Sequence, residues 1–432
     1  MERISRRLPP RSRLATLANP EEFVWATGIE DTFVSEPHPL TGRSLDEYNL
    51  TEHYLRWNED FALVCQLKVR AVRYGLPWYK ISPREGEWDW TFADKTLNRL
   101  LEVGIDPIID LVHYGTPSWM VSSFLNSDYP KHVAEYASKV AERYKGKIFW
   151  YTPLNEPRIN AYYSGKLGLW PPHARGWKGF VGVLKQICKG IVLTCRGLTE
   201  VDPEIVRCHV DATDLYDPID SESEEPANHR QQIVFLALDL ITGRVDGPTH
   251  PLFYWLLSNG FSKSDLNWFL SDPVTLDVLG INLYPMFSLK KVRKVGAKTF
   301  TTMPSAVGVS LTERLSTMYW RRYRVPLMIS ETASNGSVAK RSRWLTESTE
   351  ACHHLRRAGV ELVGYTWWPM FSLVSWSYLA SKRPVEKHIV SMGLWDLDPN
   401  LDRRETPLSH QFRTETERPM ESIGREEFTH VS

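Results

Sequence analysis

Eight short apolar runs punctuate the chain, at 23–29, 71–78, 107–113, 148–154, 205–210, 276–284, 326–330 and 361–368. They are continuous rather than alternating, as expected of parallel strands covered on both faces. Between them lie amphipathic patterns of helix length at 52–66, 91–103, 131–144, 179–198, 227–240 and 341–358. In the first of these, Leu55, Phe61, Ala62 and Cys65 read as the buried stripe. Gly104 and Gly359 each follow a helical pattern and precede an apolar run, the place for a left-handed helix cap. Eight strands alternating with helices is the count of a (β/α)8 TIM barrel of the α/β class. An open doubly wound sheet would carry a Gly-rich phosphate turn after an early strand, and the sequence has none. The expectation is one barrel domain over 21–413 with long βα loops. Residues 1–20 read as a disordered Arg-rich leader and 414–432 as a disordered charged tail.

The 432 residues exceed the usual single-domain length, which barrels do routinely. Lys plus Arg and Asp plus Glu balance at 52 each, so no net field points to nucleic acid or an anionic membrane as partner. The five cysteines (Cys65, Cys188, Cys195, Cys208 and Cys352) are scattered and form no Cys-x-x-Cys pair. Neither a zinc site nor a disulfide framework follows, and reduced thiols fit a cytoplasmic protein. The leader lacks the apolar core of a secretory signal, and no apolar stretch approaches a membrane span.

Numbered in order, the fourth run leads into Asn155-Glu156-Pro157 and the seventh ends at Glu331. The C-terminal strand ends of a barrel open on one face, where strands 4 and 7 stand roughly opposite. Two carboxyls flanking one bond are what glycoside cleavage requires, one as acid and one as base or nucleophile. Neither a metal nor a cofactor is needed. Asn155 is placed to hydrogen-bond a sugar hydroxyl, and Arg73 to keep the nucleophile ionised. His113 is either a sugar-hydroxyl ligand or a core histidine. Trp119, Trp170, Trp177, Trp367 and Trp368 are candidate platforms under sugar rings, with Trp368 foremost.

An ordered set of motifs over about 21–413 resembles glycoside hydrolase family 1, the β-glucosidase-like group of (β/α)8 retaining glycosidases. Phe23-Val-Trp-Ala is similar to its opening Phe-Leu-Trp-Gly, and Arg73-Tyr-Gly-Leu-Pro-Trp78 to Arg-Phe-Ser-x-x-Trp. His113-Tyr-Gly-Thr-Pro117 stands where the family has His-Trp-Asp-x-Pro. Thr152-Pro-Leu-Asn-Glu-Pro157 resembles Thr-x-Asn-Glu-Pro with one insertion, and Asp277-Val-Leu-Gly-Ile-Asn-Leu-Tyr284 resembles Asp-Phe-x-Gly-Ile-Asn-Tyr-Tyr. Ile329-Ser-Glu-Thr-Ala333 is similar to Ile-Thr-Glu-Asn-Gly. The resemblance implies Glu156 as acid/base and Glu331 as nucleophile. It also implies Tyr284 as a hydroxyl donor to Glu331 and Asn282 as a pocket residue.

The departures fall on the sugar clamp. The family's first-strand Gln is missing, with Glu30 and Asp31 the nearest polar candidates. Its Glu-Trp pair after the eighth strand aligns with Ser375-Trp376, so the clamp Glu is lost and the Trp kept. Ser375 also raises the possibility of a 6-phosphosugar, with Lys382, Arg383 and Lys387 nearby but without the expected Lys and Tyr before Gly393. The expectation is a retaining β-glycosidase acting on a small glycoside through an atypical glycone subsite. A catalytically silent carbohydrate-binding barrel and a transglycosylase are the alternatives.

Overall fold

A computed structural model of the chain describes residues 22–304 and 307–424. Eight parallel strands close into a barrel: β1 Val24–Gly28, β2 Ala71–Gly75, β3 Asp106–Asp110, β4 Trp150–Thr152, β5 Val206–Ala212, β6 Val278–Asn282, β7 Leu327–Thr332 and β8 Leu362–Trp367. Each pairs with its sequence neighbours, and β8 closes onto β1. A principal helix covers each: α1 His53–Gln66, α2 Thr91–Glu102, α3 Tyr129–Arg143, α4 Gly176–Val201, α5 Glu224–Ile241, α6 Ser310–Tyr323, α7 Val338–Arg357 and α8 Pro407–Glu417.

The continuous apolar strands now have their reason. Val24, Ala26, Ala71, Ile108, Trp150, Val206, Cys208, Val210, Val278, Met328 and Val363 pack as one cluster inside the barrel. Their alternating neighbours Trp25, Val72, Ile109, Tyr151, Leu279, Ile329 and Leu362 pack outward under the helices. Both faces of every strand are therefore dry. Gly104 and Gly359 take φ of +79° and +86° at the expected helix ends, a region closed to most side chains.

Two expectations change. Leu55 is 81% exposed, because α1 buries His53, Asp60, Phe61 and Val64, and two residues beyond His53 is the opposite side of a helix. Ala62 is also exposed and Cys65 half-buried. The tail does not begin at 414. Helix α8 continues to Glu417, Met420 is buried, and the Gly424 amide donates to Arg356 O at 2.8 Å. One apolar residue seated in the core is enough to hold a polar segment that composition alone reads as loose. The last residues of that expected tail, 425–432, and the expected leader, 1–20, lie outside the described residues.

The two long loops after β5 and β6 are also built. Leu215–Pro218 pairs in parallel with Leu289–Val295, which pairs with Lys298–Thr302. Val292 and Leu289 point into the core, while Lys291 reaches Asp217 at 2.6 Å. This small sheet stands beside the barrel mouth.

Trp150 fills the barrel interior at 0% exposure. Trp150→Ala is expected to cost about 3–5 kcal/mol through lost burial and the cavity left behind. Urea denaturation followed by far-UV circular dichroism should show a lower midpoint with an unchanged slope.

Candidate active site

The polypeptide enters the barrel mouth at β4 and pins two side chains there. The Asn155 amide donates to Val112 O at 2.9 Å and the Glu156 amide to Val210 O at 3.1 Å, so this segment bridges the rims of β3 and β5. Glu156 itself sits at φ 50°, ψ 65°, a conformation rare for a residue with a side chain, and Pro157 then opens a short helix. Glu331 lies in β7 at a register irregularity against β6, where Glu331 faces Asn282. Such an irregularity re-aims a side chain at a barrel rim.

Arg73 is the hub. Its Nη1 donates to Glu331 Oε1, and its Nη2 donates to Asp110 and to Asn155 Oδ1 (2.7 Å). The guanidinium also lies 4.8 Å from the centre of the Trp368 ring. Tyr284 donates its hydroxyl to Glu331 Oε2 at 2.7 Å. Glu156 has a different company: Asn282 Nδ2 donates to Oε1 at 2.9 Å and the Tyr114 hydroxyl donates to Oε2. Glu331 is thus held by a cation and a phenol, Glu156 by an amide and a phenol.

Burial and the charge of Glu331 push the Glu156 carboxyl up to about 7, against the hydrogen bonds from Tyr114 and Asn282. Burial also raises Glu331, against the opposing charge of Arg73 and the hydrogen bond from the Tyr284 hydroxyl. Burial and adjacent carboxylates raise Tyr114 and Tyr284 far above the usual phenol range, so both remain donors. Asp31, fully buried, is pushed up to about 7 despite the neighbouring His113.

His113 is subject to two opposed demands. Burial disfavours its charge, but Asp31 and Asp110 at Nδ1 (2.6 and 3.0 Å) outweigh burial and favour the imidazolium. Its Nε2, however, lies 2.9 Å from Asn155 Nδ2. The Asn155 amide cannot flip, because Oδ1 accepts from Arg73 and from Asn282 Nδ2 (3.1 Å). Nδ2 therefore donates, Nε2 must accept, and the resting ring is the neutral Nδ1–H form.

A cavity of about 660 Å³ opens over these groups. Of the sequence-predicted residues, Glu30, His113, Glu156, Asn282, Tyr284, Glu331, Ser375 and Trp376 line it. Arg73, Asn155 and Trp368 are brought to the same place but lie beneath the lining. Asn155 was expected to meet a sugar hydroxyl; both of its amide hydrogens are instead spent on His113 Nε2 and on the Tyr114 hydroxyl (3.0 Å). Trp368 is 1% exposed, stacks on His113 at 5.7 Å and donates its Nε1–H to Glu30 at 3.0 Å. β3 stops at Asp110, three residues before His113, and Arg73 is central in β2. Trp119, Trp177 and Trp367 pack away from the cavity, their indole edges or faces taken by Ser82 O, Lys166 and Met392 O. Trp170 is buried in an aromatic cluster with Tyr114, Tyr163 and Trp376.

Glu30, Asp31 and His113 offer ligand atoms within 4.8 Å of one another, and protein donors already engage Glu30 and His113 Nε2. Glu30 accepts from Trp368 and from the Thr32 hydroxyl (2.6 Å) and amide (3.2 Å), and His113 Nε2 accepts from Asn155. Tyr114, Asp110 and the Arg158–Asp214–Lys290 ion-pair chain at the opposite wall escape sequence reasoning. For Tyr114 a signal existed, since it directly follows His113 in the loop that leaves β3.

With this geometry in view, the comparisons with known proteins are specific. The family model "Glycosyl hydrolase family 1" matches residues 25–385. The chain belongs to glycosyl hydrolase family 1. It is 32% identical over 146 residues to the bifunctional beta-D-glucosidase/beta-D-fucosidase of Bifidobacterium breve, a match spanning 32% of this chain and 31% of that enzyme. It is 23% identical over 395 residues to aryl-phospho-beta-D-glucosidase BglH of Bacillus subtilis (strain 168), covering 81% of this chain and 82% of the relative. The fold superimposes on the beta-glucosidase from Thermotoga maritima in complex with castanospermine with a TM-score of 0.80 at 18% identity, covering 94% of this chain and 99% of that one.

Because the charge of Glu331 helps to raise Glu156, Glu331→Gln is expected to bring the Glu156 pKa down from about 7. Carbon-13 NMR of carboxyl-labelled glutamate would follow it. A rise would mean that the two carboxyls do not share a field.

Proposed function

We propose that the chain is a retaining β-glycosidase using Glu331 as nucleophile and Glu156 as acid/base. The observation that carries this reading is the unequal support of the two carboxyls: Arg73 and Tyr284 on Glu331, only neutral donors on Glu156. The Arg73 cation favours the ionised form of Glu331 against burial, while Glu156 at about 7 holds its proton near neutral pH. In the first step Glu331 attacks the anomeric carbon, the bond to the leaving oxygen breaks, and that oxygen takes the Glu156 proton. In the second, water loses a proton to Glu156 and attacks the same carbon as Glu331 departs. Two inversions return the β configuration. A transglycosylase would differ only in the acceptor.

The glycone we infer is an uncharged pyranoside. Among the described residues, the lysine on the cavity wall, Lys290, is bonded to Asp214 and to Phe287 O (2.8 Å), and Arg73 beneath turns its two terminal nitrogens to Glu331, Asp110 and Asn155. Lys382, Arg383 and Lys387 are exposed and do not line the cavity, so nothing there meets a 6-phosphate. Ser375 accepts from the Ser377 amide at 3.4 Å and offers no carboxylate to replace the lost clamp; Glu30 also lines the cavity as an acceptor. Phe287 and Met303, 53% and 55% exposed, line the mouth and suit an apolar aglycone. The five described thiols are free, and no described helix is long and apolar enough to cross a membrane. With those thiols reduced, a cytoplasmic location is part of the proposal.

Glu331→Ala is expected to lose about 10⁴-fold or more in turnover of an activated aryl β-glycoside. Azide should restore activity and give the α-glycosyl azide, whereas Glu156→Ala with azide should give the β-azide. The opposite pairing of products would reverse the two roles, and full activity of Glu331→Ala would remove the mechanism. On a matched panel, an aryl β-glucoside 6-phosphate turned over faster than its parent glucoside would contradict the uncharged glycone.

A further inference from the structure

We propose that Tyr114 is a positioning residue for Glu156, fixing the carboxyl plane of the acid/base through a one-way hydrogen-bond relay that starts at Arg73. The direction of every link follows from donor counting. Arg73 Nη2 and Asn282 Nδ2 both donate to Asn155 Oδ1, at 2.7 and 3.1 Å, which orients that amide. Its Nδ2 must then donate to the Tyr114 hydroxyl oxygen at 3.0 Å. The phenol hydrogen is left to point at Glu156 Oε2, and it does. Asn282 holds the other oxygen, so the carboxyl is gripped at both ends. Any proton carried by Glu156 then occupies a lone pair that neither donor uses.

The residue type matters as well as its place. At this position the motif His-Trp-Asp-x-Pro has tryptophan, whose indole donates but cannot accept. A hydroxyl, unlike an indole, can take a hydrogen bond from Asn155 and pass one to Glu156. The backbone is shaped to deliver it: Tyr114 has φ +75°, a conformation L-residues rarely adopt, and the ring is buried against Trp170 and Trp376 with centroids 5.1 and 5.2 Å away. Gly115 permits the turn, because a Cβ there would lie 1.6 Å from Phe33 O.

Other titratable groups surround Glu156. Glu331 comes from β7, Tyr284 from the loop after β6, Lys290 from the small sheet, Tyr163 from the turn beyond Glu156, and His113 from the loop after β3. Tyr114 differs from these in donating directly to the Glu156 carboxyl. A donor to a carboxylate stabilises its charged form, so removing the hydroxyl raises the carboxyl pKa.

The test is Tyr114→Phe, read by carbon-13 NMR titration of carboxyl-labelled glutamate with Glu156 assigned through Glu156→Gln. The Glu156 pKa is expected to rise by about one unit. By contrast, 3,5-difluorotyrosine placed at 114, a stronger donor of nearly the same shape, should lower it. If the phenylalanine variant does not fold, the fluorinated chain still decides. A Glu156 titration unmoved by both the hydroxyl's removal and its strengthening overturns the proposal. The kinetic arm rests on the glycosidase reading. There, kcat/KM of Tyr114→Phe should fall about tenfold more on an alkyl glycoside, which needs the proton, than on a dinitrophenyl glycoside, which does not. An equal fall on both would mark Tyr114 as merely structural. A wild-type chain that cleaves neither substrate sinks the glycosidase reading, and the NMR arm still judges Tyr114.

Discussion

The buried guanidinium of Arg73 organises the barrel mouth. It is 1% exposed and reaches side chains from β3, β7 and the segment after β4 at once. A cation so far from water is tolerable only if carboxylates and oriented acceptors replace its hydration, and Glu331, Asp110 and Asn155 do so. Asp110 and Glu331 in turn raise the guanidinium's proton affinity against the opposing effect of burial. The arrangement is reciprocal: the same contacts that neutralise Arg73 fix Glu331 and set the Asn155 amide the right way round.

From that one amide the polarity of the surrounding network follows. Asn155 leaves His113 only an acceptor role at Nε2, overriding the two aspartates that favour its charged form. It also leaves the Tyr114 hydroxyl only a donor role toward Glu156. The cost of this order is visible in the backbone, with Glu156 and Tyr114 both at positive φ. Two strained residues at one mouth are sustained by a barrel whose strands are buried on both faces, where local relaxation would open a packed core.

On the proposed reading, the glycone end is where the chain departs from the motifs it resembles. Glu30 donates nothing and accepts from Trp368 and Thr32, so it is rigid, and Ser375 sits at the wall in place of a carboxylate. A site with fewer acceptors discriminates among sugars less sharply, since selectivity at buried sites comes from leaving polar groups unpaired when the wrong ligand enters. On the same reading, the apolar Phe287 and Met303 at the mouth shift the balance of recognition toward the aglycone.

The barrel was legible because burying both faces of each strand leaves a mark in the chain itself, the eight continuous apolar runs. The carboxyls at Glu156 and Glu331 were legible because strand ends and chemistry coincide there, and Arg73, Asn282 and Tyr284 because their motifs are local. What the sequence did not carry was direction. Whether Asn155 faces sugar or protein depends on Arg73 and Asn282, 82 and 127 residues away. Leu55 and the segment after 414 were misread for a related reason, since which helix face is covered and whether Met420 finds a seat are set by elements distant in sequence. Periodicity determined the architecture and the place of the site; only tertiary contact decided which lone pair meets which hydrogen, because hydrogen bonds between remote residues leave no period in the chain.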